Sequence, residues 1–458
     1  MEVQLSYAEM ITDLQKSFQR EKPLPIEWRR SQLEALREML RDRGSIIEAA
    51  LHKDYGKPAY EVWSGELQVV ASEIAYALDN LTQWMQPIEV TIRNMIGGSA
   101  TIVWEPLGVV LIIGPWNFPI QLTLLPLIGA IGAGNCALLK PSEQTPYTSQ
   151  ALLEAVHDFL DPECIRVVEG GAETVHALLQ HRFDHIFFTG GPVGAKAIMA
   201  AAAEHLTPVT LELGGKNPCI VDKNIDPVAT SRPLIWGRFL NAGQVCVAPD
   251  YVLVHQEVEA ELINAFQVAL KAFFGDKPKE SSDYARIVNH SHFQRLAKLL
   301  DNMEIIIGGE IDEDECYIAP TIVRHPPEDS ALMREEIFGP ILPVIAVDSI
   351  EQAIEFVKAR PKPLSVYLFS NNMQVQEQVI SHTYSGGVCV NDTVVHIAPP
   401  ELPFGGVGPS GMGRYHGKWS FETFSHGKTV MRKPNKLFFS SRYPPHAPMK
   451  TEAVKRLI

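Results

Sequence analysis

The stretch VVLIIGPWNFPIQLTLLPLIGAIGAGNCALLK, residues 109–140, decides the fold. It carries no charge before its last position and is long enough to suggest a membrane-spanning helix. Pro115, Pro119 and Pro126 interrupt the apolar run together with several glycines, and proline removes backbone hydrogen bonds that a spanning helix needs. The stretch therefore predicts a buried strand, a loop and a packed helix.

The same alternation of strand and helix continues along the chain. Short β-rich runs alternate with stretches of helical periodicity, which is typical of βαβ units in a parallel sheet. The strands are predicted at 109–113, 137–139, 185–188 and 209–211, and the helices at 149–159 and 195–205. A second set, from Cys219 to Val390, predicts another α/β lobe, with strands at 251–254 and 364–369 and a helix near 258–274.

The flanking regions have a different character. Apolar residues at helical spacing predict surface helices between Met10 and Leu51. From Ile88 to Trp104 the residues alternate around Gly97 and Gly98, which predicts a β-hairpin of the kind that often pairs subunits. The tail 434–458 shows no sustained period and is predicted to be extended or loosely packed.

Composition limits the kind of partner. A chain of 458 residues with 46% hydrophobic residues can bury more than one core. Its formal net charge of −14 would repel a phosphate backbone, so we expect a small-molecule partner and no nucleic acid.

The cysteines and the N-terminus indicate the compartment. The six cysteines are dispersed without a CxxC pair, which indicates neither a metal site nor a disulfide framework. The N-terminal residues MEVQLSYAEMITDLQ lack the basic start and apolar core of a secretory signal. We therefore expect a soluble cytoplasmic protein with reduced thiols.

Cys246 is a candidate nucleophile. It lies in NAGQVCVAP, residues 241–249, where small residues leave room for a substrate beside the sulfur. A buried structural thiol is the alternative, and it is the better interpretation for Cys136 and Cys219.

Two polar residues could assist that thiol. Glu212 ends an apolar strand just before a glycine turn, where burial would raise its pKa toward that of a useful base. Pairing with Lys216 or capping of the next turn is the alternative. Asn117 follows the strand 109–113 and could donate to a developing oxyanion, or it could be an ordinary turn residue.

A glycine turn precedes the helix predicted at 195–205. The residues GGPVG, 190–194, place flexible backbone and a helix N-terminus where a phosphate could bind. As a glycine pattern alone it has little specificity.

Taken together, the motifs resemble the aldehyde dehydrogenase superfamily. They occur in the family's order: PWNFP (115–119), KPSE (140–143), FTGG (188–191), LELGGKNP (211–218), GQVC (243–246) and EEIFGP (335–340). Longer phrases at 205–219, 243–251 and 402–426 look like the class 3 subgroup, which includes fatty-aldehyde dehydrogenases. The resemblance covers nearly the whole chain.

The resemblance implies a role for each motif residue. Cys246 would be the nucleophile, Glu212 the general base, and Asn117 would form the oxyanion hole with the Cys246 N–H. The expected NAD or NADP cofactor would be bound by the following residues: Lys140 and Glu143 at the adenosine ribose, Glu336 and Phe338 at the nicotinamide ribose and ring, and Trp116, Gly190 and Gly191 along the groove. For Lys140 and Glu336 the alternative is an ion pair or a solvated charge, and for Phe338 it is core packing.

One position departs from the subgroup. Where the subgroup usually has Gly-Ser-Thr-x-x-Gly, this chain has GGPVGA at 190–195. Gly191 offers no hydroxyl to a pyrophosphate, so the affinity for the cofactor and the choice between NAD and NADP are open.

The expected fold is α/β and aldehyde dehydrogenase-like. A doubly wound parallel-sheet cofactor domain takes residues 1–85 and 106–214, and an α/β catalytic domain takes 215–395. The hairpin 86–105 and the C-terminal region 396–458 form a small bridging element, and the resemblance implies a homodimer.

The expected reaction is the oxidation of an apolar aldehyde, of medium or long chain or aromatic, to a carboxylic acid. Cys246 would form a thiohemiacetal and then a thioester, which Glu212 helps to hydrolyse. The alternatives are a CoA-acylating dehydrogenase, a cofactor-independent thiol esterase and a binding protein without activity.

The tail suggests a further partner. Lys436, Phe438, Phe439 and Arg442 combine apolar and basic side chains, so weak peripheral contact with a membrane is a hypothesis. A gate over the substrate tunnel is the alternative.

Overall fold

The computed structural model describes residues 6–20, 23–92, 98–434, 443–445 and 448. Gly97 of the predicted hairpin turn and the four tail residues of the membrane hypothesis lie outside these ranges. The helices are α1 (Tyr7–Arg20), α2 (Ile26–Tyr55), α3 (Ala59–Val62), α4 (Gln68–Trp84), α5 (Gln121–Ala133), α6 (Pro146–Phe159), α7 (Ala172–Leu178), α8 (Pro192–His205), α9 (Pro227–Phe239), α10 (Glu259–Phe274), α11 (His290–Leu299), α12 (Ala331–Arg334), α13 (Ile350–Lys358), α14 (Met373–His382) and α15 (Gly417–Thr423).

The strands form three sheets and one short two-stranded ribbon. They are β1 (Ile88–Val90), β2 (Ser99–Pro106), β3 (Val109–Ile113), β4 (Cys136–Lys140), β5 (Ile165–Val167), β6 (His185–Thr189), β7 (Val209–Glu212), β8 (Pro218–Val221), β9 (Tyr251–His255), β10 (Ile305–Ile307), β11 (Ile311–Asp312), β12 (Tyr317–Ile318), β13 (Thr321–Arg324), β14 (Ile341–Val347), β15 (Ser365–Phe369), β16 (Gly387–Val390), β17 (Gly411–Met412) and β18 (Ser425–Arg432).

The first sheet has the order β17-β7-β6-β3-β4-β5. All neighbours are parallel except β17, which adds an antiparallel edge next to β7. The chain begins in the middle at β3, runs outward through β4 and β5, and returns to the other side of β3 through β6 and β7. This is a doubly wound sheet, whose switch point lies between β3 and β6.

The charge-free stretch packs as predicted. Every residue of β3 and β4 is buried, and so is every residue of α5 between them, including Pro126. A helix that is apolar all round belongs in a core, and α5 packs against α4 and α15. Among the described residues, no helix has the length and hydropathy needed to cross a bilayer.

The second large sheet has the order β10-β13-β14-β9-β8-β15-β16. Its strands are parallel except β10, which pairs antiparallel with β13. The side chains of β8, β9 and β15 alternate between two apolar clusters, one on each face of the sheet. The sheet is therefore buried on both faces, as parallel sheets are.

The third sheet joins the predicted hairpin to the C-terminal region. Ile88–Val90 pairs antiparallel with Ala100–Ile102, as the alternating residues predict. The other edge of β2 pairs along its whole length with β18, whose partners lie more than 300 positions away in sequence.

Candidate active site

The switch point of the first sheet gathers several of the predicted residues. Strand β3 pairs in parallel with β6, so the loops that follow them leave the same edge side by side. The first loop carries Trp116 and Asn117, and the second carries Gly190. Ligands of doubly wound sheets bind in the crevice at such a point.

The glycine turn after β6 has one tight position and one open position. A Cβ on Gly190 would lie 2.5 Å from the Phe188 ring, whereas a Cβ on Gly191 would meet no atom of the described residues within 4 Å. Gly191 is the N-cap of α8, and Pro192 occupies the first helical position. The unpaired N–H groups and dipole of a helix N-terminus attract an anion, so this end of α8 suits a phosphate.

The segment before Cys246 has an unusual backbone. Asn241, Ala242 and Gly243 have φ angles of 51°, 52° and 75°, all in the left-handed region. Such a conformation is costly for residues other than glycine, and it persists only where the surroundings impose it. The Asn241 N–H donates to Glu61 Oε2 at 3.0 Å, and the Gln244 side chain donates to Asn241 O at 2.9 Å.

Asn217 holds the peptide that carries the sulfur. Its Nδ2 donates to the carbonyl oxygens of Cys246 at 2.8 Å and Ala248 at 3.0 Å, and its Oδ1 accepts from the Ser365 N–H at 2.8 Å. One buried amide therefore fastens the Cys246 segment to the second sheet.

Cys246 itself is partly buried against an apolar cluster. Burial, reinforced by the carboxyl groups of Glu336 and Glu212, raises the pKa of its thiol to about 12. At neutral pH the group is therefore a neutral thiol, and attack on a substrate requires a base. The cluster around it consists of Phe118, Leu122, Val245, Val247, Ala248, Leu364 and Val394, with Leu240, Ile397 and Phe404 at its edge.

Glu212 is buried at the end of β7, and within the described part of the chain neither of its carboxyl oxygens has a hydrogen-bond partner. This burial raises its pKa well above the usual value. The alternative pairing with Lys216 does not form. The Lys216 ammonium instead bonds to Asp250 and donates to the carbonyl oxygens of Leu332 and Glu335, both at 2.8 Å.

Asn117 is tied to the Cys246 segment. Its Nδ2 donates to the carbonyl oxygen of Gln244 at 3.1 Å, two residues before the sulfur-bearing residue. An amide has two N–H groups, so this bond leaves one donor for a ligand.

Glu336 and Phe338 lie across the crevice from α8. The Gly215 N–H donates to Glu336 Oε1 at 2.9 Å, and burial raises the pKa of this carboxyl to about 7. Phe338 has a left-handed φ of 49°, and its ring meets that of Trp116 edge-on at 5.3 Å between centroids. A cavity of about 510 Å³ joins Glu336, Gly214 and Gly215 to Pro192 at the N-terminus of α8.

The aldehyde dehydrogenase family profile matches residues 4–430 of this sequence. The chain belongs to the aldehyde dehydrogenase family.

Individual members of the family are similar over almost the full length. The chain is 47% identical to aldehyde dehydrogenase family 3 member B1 of Bos taurus, over 96% of this chain and 95% of that protein. It is 44% identical to a Rattus norvegicus protein named aldehyde dehydrogenase, dimeric NADP-preferring, over 96% and 98%. A structure described as the substrate-bound state of Staphylococcus aureus AldH superimposes with a TM-score of 0.95 at 42% identity, covering 99% of both chains.

These matches confirm the predicted family, the α/β fold and the general activity. As a member of the aldehyde dehydrogenase family, the protein is an NAD(P)-dependent oxidoreductase that acts on aldehydes.

In this aldehyde dehydrogenase, Lys140 and Glu143 lie apart from the group around Cys246. Lys140 ends β4 and Glu143 follows it, one strand away from the loop that carries Trp116. The buried Lys140 ammonium pairs with the exposed Glu143 carboxylate at 2.9 Å. The ion pair that the sequence leaves open as an alternative is therefore present, at the strand end where the resemblance expects an adenosine ribose.

In this aldehyde dehydrogenase, sequence reasoning missed several residues that contact the predicted site residues. His292 lies on α11 with its ring 5.0 Å from that of Trp116, and the Arg295 side chain donates to Ile337 O at 2.6 Å. No motif marks these two residues. Asn217 and Asn241 stand inside the quoted motifs, and an amide side chain there could have been recognised as a hydrogen-bonding group. Only the structure shows which backbone groups these two side chains contact.

Proposed function

We propose that this enzyme oxidises apolar aldehydes, of medium or long chain or aromatic, to carboxylic acids with NAD or NADP. The observation that carries the proposal is the apolar cluster around Cys246. Its buried members come from the loop after β3, the first turn of α5, the Cys246 segment, the residue before β15 and the loop after β16. A hydrocarbon chain or ring buried there gains about 25 cal/mol per Å² of apolar surface removed from water, whereas a hydroxylated sugar aldehyde would lose hydrogen bonds to water.

The residues of the crevice fit a dinucleotide. The N-terminus of α8 offers backbone donors to a pyrophosphate, and Gly190 allows the turn to pass beneath Phe188. Glu336 would accept from a ribose hydroxyl, and the rings of Trp116 and Phe338 flank the site. When bound, the cofactor supplies the hydride acceptor.

The chain's own residues manage the protons and the developing charge. Glu212, directly or through a water, takes the proton of the Cys246 thiol, and the thiolate attacks the aldehyde carbon. The free N–H of Asn117 and the backbone N–H of Cys246 donate to the oxyanion of the thiohemiacetal. Once the thiohemiacetal has lost its hydride to the nicotinamide acceptor and Glu212 has passed the thiol proton to solvent, Glu212 deprotonates the water that attacks the thioester, which releases the acid and the Cys246 thiolate. A buried carboxyl with no hydrogen-bond partner among the described residues suits both proton transfers, because its raised pKa makes it a stronger base.

The test is the absorbance of NADH or NADPH as purified enzyme is mixed with each cofactor and a series of aldehydes. The series runs from short to long chain and includes one aromatic aldehyde and one hydroxylated aldehyde of equal length. We expect kcat/KM to rise with chain length and to be lowest for the hydroxylated compound. Equal kcat/KM across the series would refute the apolar specificity, and Cys246→Ala serves as the inactive control.

The three-stranded sheet supports a homodimer. Ile88 and Val90 on β1 and Met431 on β18 are about 40% or more exposed, on the two edge strands of the sheet. Exposed apolar edge strands favour pairing with another chain, and the rat relative is named dimeric.

Light scattering after gel filtration should give twice the chain mass of 50.9 kDa. Val90→Lys with Met431→Lys should shift the mass toward that of one chain, and an unchanged dimer would place the interface elsewhere.

A further inference from the structure

The backbone carbonyl of Asn117 is held by an unusual number of donors. It accepts from the Tyr55 hydroxyl at 2.9 Å, from Lys57 Nζ at 3.1 Å and from Asn241 Nδ2 at 3.0 Å. A carbonyl oxygen has two lone pairs, so three donors saturate it. Three side chains therefore fix the orientation of this peptide group.

The Lys57 ammonium connects that carbonyl to a buried acid. It donates to Glu66 Oε1 at 2.7 Å and to Asn117 O at 3.1 Å, and it lies 3.7 Å from the centroid of the Phe118 ring. The ammonium is therefore contacted by a carboxylate, a backbone carbonyl oxygen and an aromatic ring face. The side chains of Lys57 and Glu66 are both completely buried.

Glu66 in turn holds the chain just after Asn117. Its Oε2 accepts the N–H groups of Ile120 at 3.0 Å and Gln121 at 2.9 Å, where α5 begins. The Lys57–Glu66 pair therefore forms hydrogen bonds with the backbone of the loop on both sides of Phe118.

The helix that carries Glu66 is modified locally. Trp63–Leu67 form a π-helical turn between α3 and α4. The i to i+5 bonding of such a turn brings residues five apart onto one side, and Glu61, five residues before Glu66, accepts the Asn241 N–H. A Cβ on Gly65 would lie only 3.2 Å from the Phe118 ring, so the turn packs closely on the loop. π-turns are frequent at functional sites.

A buried ion pair is weak evidence for stability, because desolvation of both charges offsets their attraction. The contacts of this pair instead converge on one loop of the active site. We propose that Lys57, held by Glu66, is a positioning residue that fixes the Asn117 peptide so that the Asn117 amide meets the oxyanion. The inference rests on the proposed role of Asn117 in the oxyanion hole.

The consequence is a specific kinetic defect. A displacement of about 1 Å in a catalytic group can cost about a hundredfold in rate. We expect Lys57→Met to lower kcat tenfold or more, with a KM for the aldehyde within twofold of that of the wild type. In an Asn117→Ala background the same change should lower kcat less than twofold, because the group that Lys57 positions is already absent.

Two further measurements separate positioning from general damage. The rate at which iodoacetamide alkylates Cys246, followed by peptide mass spectrometry, needs no oxyanion hole and should stay within twofold of the wild type. Arg29→Met is the matched control: this buried cation donates to the backbone carbonyls of Leu24 and of Gly132, which lies at the opposite end of α5 from the Asn117 loop. It should lower thermal stability and leave the kcat of the folded enzyme unchanged.

Folding of the variant is the practical risk, since Lys57→Met leaves Glu66 buried without its partner. Lys57→Met with Glu66→Gln removes both charges and keeps an oxygen for the Ile120 and Gln121 N–H groups. Tyr55→Phe removes only one donor to the Asn117 carbonyl and should lower kcat by a smaller factor. The same loss from Lys57→Met in both backgrounds, or no loss in the wild type, would overturn the inference. If Asn117→Ala itself leaves kcat unchanged, the proposed oxyanion hole fails as well.

Discussion

The segment 241–248 around Cys246 and the turn 190–195 before α8 differ in how tightly the surrounding residues constrain them. The first has three consecutive left-handed residues, and side chains such as Glu61 and Asn217 bond to its backbone from other elements. The second offers a helix N-terminus, and its central Gly191 has open space where a side chain would stand. Bond-making chemistry needs atoms at fixed positions, whereas a phosphate is held by backbone donors that tolerate a change of side chain. We therefore expect large effects of substitution around Cys246 and small ones at Gly191.

The largest effect is expected for Glu212→Gln. A positioned general base contributes about 10²–10⁴-fold to the rate, so kcat should fall within that range. Because Glu212 serves both the attack by Cys246 and the hydrolysis of the thioester, the first-turnover burst of NADH or NADPH in stopped-flow absorbance should slow together with kcat. Glu73→Gln is the matched control, because Glu73 is also a buried glutamate whose pKa is raised to about 7, but it bonds to Gly417. Equal losses in the two variants would remove the special role of Glu212.

Asn117→Ala should lower kcat about a hundredfold, because the loss of one oxyanion-hole donor costs about 10²–10³ in rate. KM for the aldehyde should change little, since the donor acts on charge that develops during the reaction. Steady-state kinetics decide the matter. A variant with normal kcat and raised KM would show that Asn117 binds the substrate and does not stabilise the oxyanion.

The rate at which iodoacetamide alkylates Cys246 should rise continuously from pH 6 to pH 9. Burial beside Glu336 and Glu212 raises the thiol pKa to about 12, so the thiolate fraction keeps growing throughout this range. The rate is measured on enzyme without aldehyde or cofactor, by peptide mass spectrometry. A plateau near neutral pH would mean that the thiolate is already formed in the resting enzyme.

The smallest effect is expected at Gly191, the open position of the turn before α8. Gly191→Ser fits without contact, and serine is a preferred N-cap, so α8 should gain a few tenths of a kcal/mol and a hydroxyl near the phosphate site. The dissociation constants for NADH and NADPH, from fluorescence titration, should fall by a few-fold or less. Gly190→Ser, one residue earlier, collides with the Phe188 ring and should weaken binding and stability. Similar behaviour of both variants would contradict the assignment of one tight and one open position.

Much of the fold was predictable because local pattern and burial agree. The strand 109–113 has exactly the predicted bounds, since five apolar residues stand between the glycines at 108 and 114. Helices α6 and α8 begin three residues earlier than predicted, at Pro146 and Pro192. Proline is favoured at the first helical position, because its missing N–H would be unpaired there, so these residues start helices that the periodicity alone places later.

The predicted site residues were found by motif, but their environment was not predictable. The bond from Asn241 to Glu61 spans 180 positions, and that from Asn217 to Ser365 spans 148. The left-handed angle at Ala242 has no signal in the sequence, because alanine normally avoids that region. The pairing of β18 with β2 is equally non-local. Such features depend on which elements meet, and that is settled only when the whole chain packs.

The raised pKa of Cys246 also bears on how long the enzyme survives. Peroxides attack thiolates and convert them to sulfenic and then to irreversible sulfinic acids, so susceptibility follows thiolate content and exposure. A thiol whose pKa is about 12 is almost entirely protonated at neutral pH, and Cys246 is only partly exposed. The resting protein should therefore withstand hydrogen peroxide at concentrations that inactivate enzymes with a preformed thiolate.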